Sequence, residues 1–538
     1  MSDLINGKKS KLCYIHPLLF GIIPIIFIFS ENIHLLPITE LILPIGISFL
    51  IIIPLLIIFY KLPRNANSLA LILSLLLILF FSYGHIYNLI SDSFLSDSEI
   101  SRHRYLLIPF FISGILGSIY FLKSNRIFNN ATIITNVIAI SVTIIIFTNI
   151  SMDVADGNIF GNPELLNNER FFGVGASNSL IFENENFVNN KQNASKIFQT
   201  NPPDIYYIIL DEYPSNKILK TFFEFDNNNF TSFLQKNQFH TSENSFSNYP
   251  TTIQSLTSSL NMQYLDKLTQ SENKNSKNFK LLNQLLSENL VMKKLNEQGY
   301  SIYNIGSLWG PNGEFKLSNQ NFCEFKEVNR DSLIKELFHT SIVSYFYEKY
   351  FEQLRRDSIN CTFDTIVELS QINENPKFVF AHILLPHAPY IFGPNGENVD
   401  SGNIIKSNEI YDLRNAHVNQ IKFANNVMMN IIPKLVTSEH DTIVILQSDT
   451  GTGFKINWNQ PTDNMVIERL GNLNYIHFPN KNYEKFDDVS PVNTFRIIFN
   501  EYFDENFPIL EDKMYWSSAE HPYNYKDVTQ IIHNDIKQ

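Results

Sequence analysis

An N-terminal helical membrane domain followed by an α/β domain with a mostly parallel central sheet is the fold class this sequence predicts, on three observations. Apolar residues are segregated: residues 12–150 are crowded with Ile, Leu and Phe, whereas 151–538 are rich in Asn, Asp, Glu, Lys and Tyr. The short connections between the early apolar runs alternate in charge. In the second region, three continuous apolar runs of strand length each end in a polar motif. At 538 residues the chain exceeds what one compact core holds. The expected division is a transmembrane domain over 1–150, an extracytoplasmic linker over 151–202 and the α/β domain over 203–538.

Five apolar runs, at 12–30, 41–60, 68–90, 105–122 and roughly 132–148, approach the roughly 20 residues that cross hydrocarbon. The first is read as a retained helix rather than a signal peptide, because it is long, lacks a small-residue cleavage site and precedes four more runs. Prolines at 17, 24, 44, 54 and 109 fall within runs, where packing against neighbouring helices tolerates them. Lys8, Lys9 and Lys11 precede the first run, Lys61 and Arg64 follow the second, and Lys123 and Arg126 follow the fourth. The alternate loops carry Glu31 and Glu40, then Asp92, Asp97 and Glu99, with Arg102 and Arg104 as exceptions. Positive loops stay cytoplasmic, so the N-terminus is expected inside. With an odd number of spans, everything after 150 is then extracytoplasmic, on a multi-pass protein of the cell membrane.

Composition excludes other classes. A net charge of −12 with no Lys/Arg cluster argues against nucleic-acid binding. Three cysteines without a CxxC pair exclude zinc ribbons and thioredoxin chemistry. Cys323 and Cys361 are expected as two buried thiols, a disulfide being the alternative if the region is extracytoplasmic. No charged residue lies well inside a predicted span, which ranks a transporter or channel last.

Residues 151–200 lack a sustained period and read as an extended connector; the Asn193-Ala-Ser sequon has little weight in an Asn-rich chain. Residues 204–210 (Asp-Ile-Tyr-Tyr-Ile-Ile-Leu) end in Asp211-Glu212, residues 378–385 in Pro386-His387, and residues 441–447 in Ser448-Asp449-Thr450-Gly451. Strands buried on both faces mark a parallel sheet covered by helices, for which 280–297 and 331–355 are candidate crossovers. In open α/β sheets ligands bind outside the carboxyl ends of the strands, so Asp211, His387 and Asp449 are expected at one edge. An Asp after a strand is equally an ordinary turn or cap residue; three such motifs together point to a site.

At these residues the chain resembles the alkaline-phosphatase superfamily, specifically its membrane-anchored sulfatase-like branch of lipoteichoic acid synthases and phosphoethanolamine transferases. The matching pieces are the 203–213 stretch, Asn248-Tyr-Pro-Thr-Thr252-Ile-Gln-Ser-Leu, His382-Ile-Leu-Leu-Pro-His387-Ala-Pro-Tyr390, Ser448-Asp449-Thr450-Gly451 and Ser490-Pro-Val-Asn-Thr-Phe-Arg496. The resemblance implies an alkaline-phosphatase-like α/β domain and a divalent metal (Mn, Mg, Zn or Ca) held by Asp211, Thr252 and Asp449. It implies Thr252 as a nucleophile at a helix N-terminus, Thr251 being the runner-up, and His387 as a substrate-side group. The expected partners are the lipid bilayer and a lipid-linked or glycan substrate at the outer surface. Glu212 is read as a surface or capping group and His382 as a core histidine. No Cys stands where a formylglycine arises, which disfavours sulfate-ester chemistry and favours a threonine ester. The chain departs from the family at Thr450, where the last metal motif has Asp-His-Gly. A threonine hydroxyl is a poor substitute for imidazole. The competing expectation is therefore a pseudoenzyme of the same fold, acting as a binding or scaffolding module.

Overall fold

The structure, a computed structural model, describes residues 15–33, 36, 38–61, 66–91, 103–124, 128–155, 202–242, 244–309, 311, 315–323, 332–372, 376–401, 410–438, 440–479 and 489–536. The loop charges at 8–11, 64, 92–102 and 126, Cys13 and the connector at 156–201 lie outside them. The chain divides into two compact units, one within 1–171 and 330–351, the other within 172–329 and 352–538.

The first unit contains helices α1 (Ile15–Glu31), α2 (Ile42–Lys61), α3 (Ala66–Ser91), α4 (His103–Lys123) and α5 (Asn129–Ala155). In hydrocarbon every backbone polar group must be paired internally, which a helix achieves. Five hydroxyls of α5 are satisfied this way too: Thr132, Thr135, Thr143, Thr148 and Ser151 each donate to the carbonyl four residues back. Five spans were expected. Among the described residues four helices are long and apolar enough to cross a membrane, while α1 is apolar but 17 residues long.

The second unit is built on a seven-stranded sheet in the order β2-β7-β6-β1-β5-β3-β4, with a separate β8–β9 hairpin. The strands are β1 (Asp204–Leu210), β2 (Phe239–Thr241), β3 (Ser301–Ile305), β4 (Gln320–Phe322), β5 (Lys377–Ile383), β6 (Thr442–Gln447), β7 (Asn474–His477), β8 (Tyr515–Ser518) and β9 (His521–Asp527). Pairs β1–β5, β1–β6, β3–β5 and β3–β4 are parallel; β6–β7 and β2–β7 are antiparallel. The three apolar runs are therefore the three adjacent central strands. They read as unbroken apolar stretches because both faces are covered.

On one face Ile205, Tyr207 and Ile209 pack with Phe380 and Ile445 beneath helix α6 (Thr252–Asn261), through its Leu256 and Leu260. On the other, Tyr206, Ile208 and Leu210 pack against α9 (Ile410–Val436), whose Ile421, Ala424, Met428 and Leu435 form a stripe at helical spacing.

Two sequence expectations need correcting here. Residues 331–355 do not form a single crossover helix. They split into α7 (Ser332–Thr340) and the start of α8 (Ser344–Ser370), and 332–351 belong to the first unit. Leu333 and Leu337 pack with Ile25, Ile28 and Phe29 of α1, which is what their apolar periodicity reflects. Cys323 and Cys361 are not free thiols: they form a disulfide with their Cα atoms 5.9 Å apart.

Candidate metal centre and nucleophile

Strand register explains how the site assembles. Ile209 of β1 lies beside His382 of β5 on one side and Gln447 of β6 on the other. Side chains alternate between the faces of a strand, so these three share the face that α6 covers. Two residues on, Asp211 and Asp449 emerge at the carboxyl edge. Asp211, His382 and Asp449 are buried, and one ligand atom from each lies within 4.8 Å of the others.

Thr252 is the first residue of α6, with Thr251 as its N-cap. The two hydroxyls have different partners. Thr251 Oγ1 donates to Gln254 Oε1 at 2.7 Å, whereas Thr252 Oγ1 donates to Asp449 Oδ2 at 2.6 Å. Asp449 Oδ1 accepts the backbone N–H of Glu212 at 3.1 Å. His382, read from sequence as a satisfied core residue, is not satisfied. Both its nitrogens, Asp211 Oδ1 and Thr450 Oγ1 are buried without a hydrogen-bond partner among the described residues. Its Nε2 approaches Asp211 Oδ2 to 3.4 Å, and its ring meets Trp309 edge-on at 5.2 Å. Unpaired buried polar atoms are costly, and those of His382 and Asp211 beside Asp449 fit a divalent cation.

Glu212 is not a surface group. Its φ of 59° puts the backbone in the left-handed region, so the alternation that would send its side chain to the opposite face no longer holds. Its carboxylate pairs with Arg469 and lies 3.7 Å from His387 Nε2. Arg469 also donates from Nε to the Pro250 carbonyl (2.7 Å) and from Nη1 to the Gly451 carbonyl (3.1 Å). One guanidinium thus ties together the loops that carry Asp211, Thr252 and Asp449. Gly451 cannot carry a side chain, because a Cβ would lie 2.4 Å from the Glu468 carbonyl oxygen.

His387 sits in the 384–390 loop, between two cis X-Pro bonds at Pro386 and Pro389. Buried Arg355 of α8 holds this loop, donating to the carbonyls of Leu384 (2.9 Å) and His387 (3.0 Å). Burial pushes Arg355 down to about 10. Burial opposes charge on His387 as well, but the Glu212 and Asp211 carboxylates outweigh it and raise its pKa above the ordinary imidazole value. Burial, then the Asp211 charge, push Asp449 up to about 6. Burial opposes ionisation of Asp211 too, yet His387, His382 and Arg355 hold it well below the usual carboxylate range.

The structure therefore brings Asp211, Asp449 and Thr252 into one cluster, with His387 linked to it through Glu212. Sequence reasoning missed His382, Arg469, Arg355 and the true setting of Glu212. Only His382 left a usable signal, its place five residues before His387 in the same motif.

A metal-type cluster at the carboxyl edge of a mostly parallel sheet, beside a hydroxyl at a helix N-terminus, defines the class. Residues 203–468 match the sulfatase family model. No curated protein matches the chain. Among solved structures, the C-terminal periplasmic domain of EptC from Escherichia coli is 12% identical (TM-score 0.40), covering 62% of this chain and 95% of that one. The phosphoethanolamine transferase EptC domain from Campylobacter jejuni is 12% identical (TM-score 0.37), covering 58% and 92%. The integral membrane lipooligosaccharide phosphoethanolamine transferase EptA from Neisseria meningitidis is 11% identical (TM-score 0.30), covering 88% and 89%.

Proposed function

We propose that this chain is a membrane-anchored, metal-dependent transferase or hydrolase that works through a threonine ester on a lipid-linked or glycan phosphate at the outer surface. The observation that carries this reading is the Thr252 hydroxyl, at the start of α6 and 2.6 Å from Asp449, beside the Asp211–His382–Asp449 cluster. Two carboxylates and an imidazole suit zinc or manganese better than magnesium or calcium, which favour all-oxygen sets. A bound divalent cation would supply charge stabilisation for the phosphoryl oxygens and acidify a hydroxyl beside it.

The chain's own residues supply the rest. Thr252 Oγ1 attacks phosphorus and its proton passes to Asp449. The bond from phosphorus to the leaving oxygen breaks, and that oxygen takes a proton from His387. The N–H groups of the first turn of α6 would favour the anionic phosphoryl group. In the second half His387, now neutral, takes a proton from water or an acceptor hydroxyl as it attacks phosphorus. The threonine–phosphorus bond breaks and Asp449 returns its proton to Thr252. The positive-inside pattern places the domain outside the cytoplasm, where lipid-linked phosphates are in reach.

The residue at 450 favours the second reading, a pseudoenzyme, since a buried threonine stands where the family has imidazole. Against it, His382 supplies an imidazole to the same cluster. The test is turnover of bis(p-nitrophenyl) phosphate by the full chain with Mn²⁺ or Zn²⁺. Activity should vanish on chelation and in Thr252→Ala, and survive in Thr251→Ala. Metal binding without turnover in the wild type would establish the pseudoenzyme.

A further inference from the structure

Residues 332–351 lie inside the stretch that matches the sulfatase family model, yet they pack with the apolar helices of the first unit. We infer that this α7–α8 hairpin is a re-entrant element immersed in the outer leaflet, and that its exposed aromatic side chains contact lipid. The inference does not depend on how the metal cluster is read.

The hairpin is anchored at three places. Leu333 is fully buried among Ile25, Ile28, Phe29, Ile33 and Leu36, and its N–H donates to Glu40 Oε2 at 3.1 Å. At the tip, the Ile342 N–H donates to the Phe80 carbonyl of α3 at 2.9 Å, while the Ile342 side chain packs beside Tyr83, Tyr87 and Leu106. A Cβ on Gly84 would lie 2.5 Å from the His339 carbonyl oxygen and from Thr340 Cα, so only glycine lets the tip approach α3 so closely. These contacts use the C-terminal parts of α1 and α3 and the N-terminal part of α4. The positive-inside orientation makes all three the outer ends.

Depth follows from helix geometry. The 26 residues of α3 span about 39 Å, against about 30 Å of hydrocarbon. Gly84 lies about 10 Å, and Phe80 about 16 Å, short of the end of α3 at Ser91. Both contact points therefore fall within the hydrocarbon thickness. Non-helical backbone at such depth is tolerated where protein covers it, as α1, α3 and α4 do here.

The outward surface matches that placement. Phe338, Phe346 and Tyr350 are 43%, 70% and 57% exposed. Stacking of Phe338 on Tyr347 (5.5 Å) and Lys335 over the Phe351 ring (4.7 Å) fasten the two helices together. Aromatic residues concentrate at the boundary between headgroups and acyl chains, and an exposed cluster continuous with apolar spans needs an apolar solvent. Exposed Glu336 on the same hairpin sets a limit: the aromatic edge is immersed while the charged edge reaches the headgroups.

The test uses the full chain in phospholipid nanodiscs on a Cys13→Ser background, with the 323–361 disulfide intact. Nitroxide labels go at Phe346→Cys and Tyr350→Cys, with Leu116→Cys on α4 as the lipid reference and Lys434→Cys as the water reference. Oxygen should relax the labels at 346 and 350 several-fold more than a nickel chelate does, as at 116. Nickel accessibility equal to that at 434 overturns the inference. Independently, benzoylphenylalanine at 346 should crosslink to phospholipid. Crosslinking to protein alone would make the surface a protein interface and overturn it as well.

Discussion

Asp211 Oδ2 and His382 Nε2 stand 3.4 Å apart at the carboxyl ends of neighbouring parallel strands, buried and without a proper hydrogen bond between them. Two groups held so close and left unsatisfied make His382 a candidate metal ligand. Asp211→Asn and His382→Ala should each lower metal affinity, a ligand worth about 1.4 kcal/mol giving a tenfold rise in Kd. Calorimetric titration of the purified chain with Zn²⁺ and Mn²⁺ checks this. Unchanged affinity in His382→Ala would return His382 to the core role that its apolar strand suggested.

Arg469 should act as a positioning residue. It holds Glu212 and the carbonyls of Pro250 and Gly451 but touches neither Thr252 nor the cluster carboxylates in a hydrogen bond. Breaking a buried ion pair by removing one partner costs about 3–5 kcal/mol, so Arg469→Ala should lower stability by that order. Arg469→Lys keeps the charge but loses the planar fork that reaches three partners. It should lower kcat while leaving KM nearly unchanged. A double-mutant cycle with Glu212→Gln separates the pair's coupling from the carbonyl contacts.

The three central strands were legible because burial on both faces leaves an unbroken apolar run, and their polar ends marked Asp211, His387 and Asp449. His382 was misread for the same reason: inside such a run every residue looks like core. Its place in the candidate cluster rests on the β1–β5 register, which pairs it with Ile209 and so puts it on the Asp211 face. Register is a long-range property that the local pattern of one strand does not encode. Glu212 was misplaced because an extended backbone was assumed where the chain turns through a positive φ. The 331–355 stretch showed the right helical period but not which apolar surface it serves, since amphipathicity identifies a buried face and not its partner.

His417 gives a pH signature. It is fully buried beside Phe223, Tyr390 and Phe454, and burial pushes its pKa from 6.5 down to about 4. The unfolded chain then binds a proton more readily than the folded one, so this stability is complete above pH 6.5 and is lost as pH falls towards 4. The loss should be about 3 kcal/mol. His417→Phe should flatten the fall of Tm over that window, as thermal denaturation at stepped pH would show. An unchanged slope would assign acid sensitivity to other groups.

The Cys323–Cys361 bridge closes a sequence separation of 38 residues. Loop-closure entropy assigns such a cross-link about 4 kcal/mol. The measured loss in Cys323→Ser with Cys361→Ser should be of that order. Denaturant unfolding of the double variant in detergent checks the value. A loss well above the chain-entropy figure would mean that the bridge organises packing around Thr365, which both sulfurs contact.

Thr450 separates enzyme from pseudoenzyme. Its hydroxyl is buried with no hydrogen-bond partner among the described residues, beside Asp449 and next to the Gly451 turn fixed by the Arg469 carbonyl. An imidazole at 450 would join the one already supplied by His382. Thr450→His should therefore tighten Zn²⁺ or Mn²⁺ binding by about tenfold if the new ligand contributes about 1.4 kcal/mol. If the proposed reaction is right, the wild type turns over a phosphodiester at high metal concentration, and Thr450→His does so at lower metal with a similar maximal rate. If Thr450 has ended catalysis, the wild type stays silent at every metal concentration while Thr450→His gains turnover that Thr252→Ala abolishes. A third pattern, tighter metal with no turnover in either form, would show that the cluster binds metal for structure alone and that Thr252 caps a helix without acting as a nucleophile. Metal titrations of turnover in wild type, Thr450→His and the Thr450→His, Thr252→Ala double variant distinguish the three.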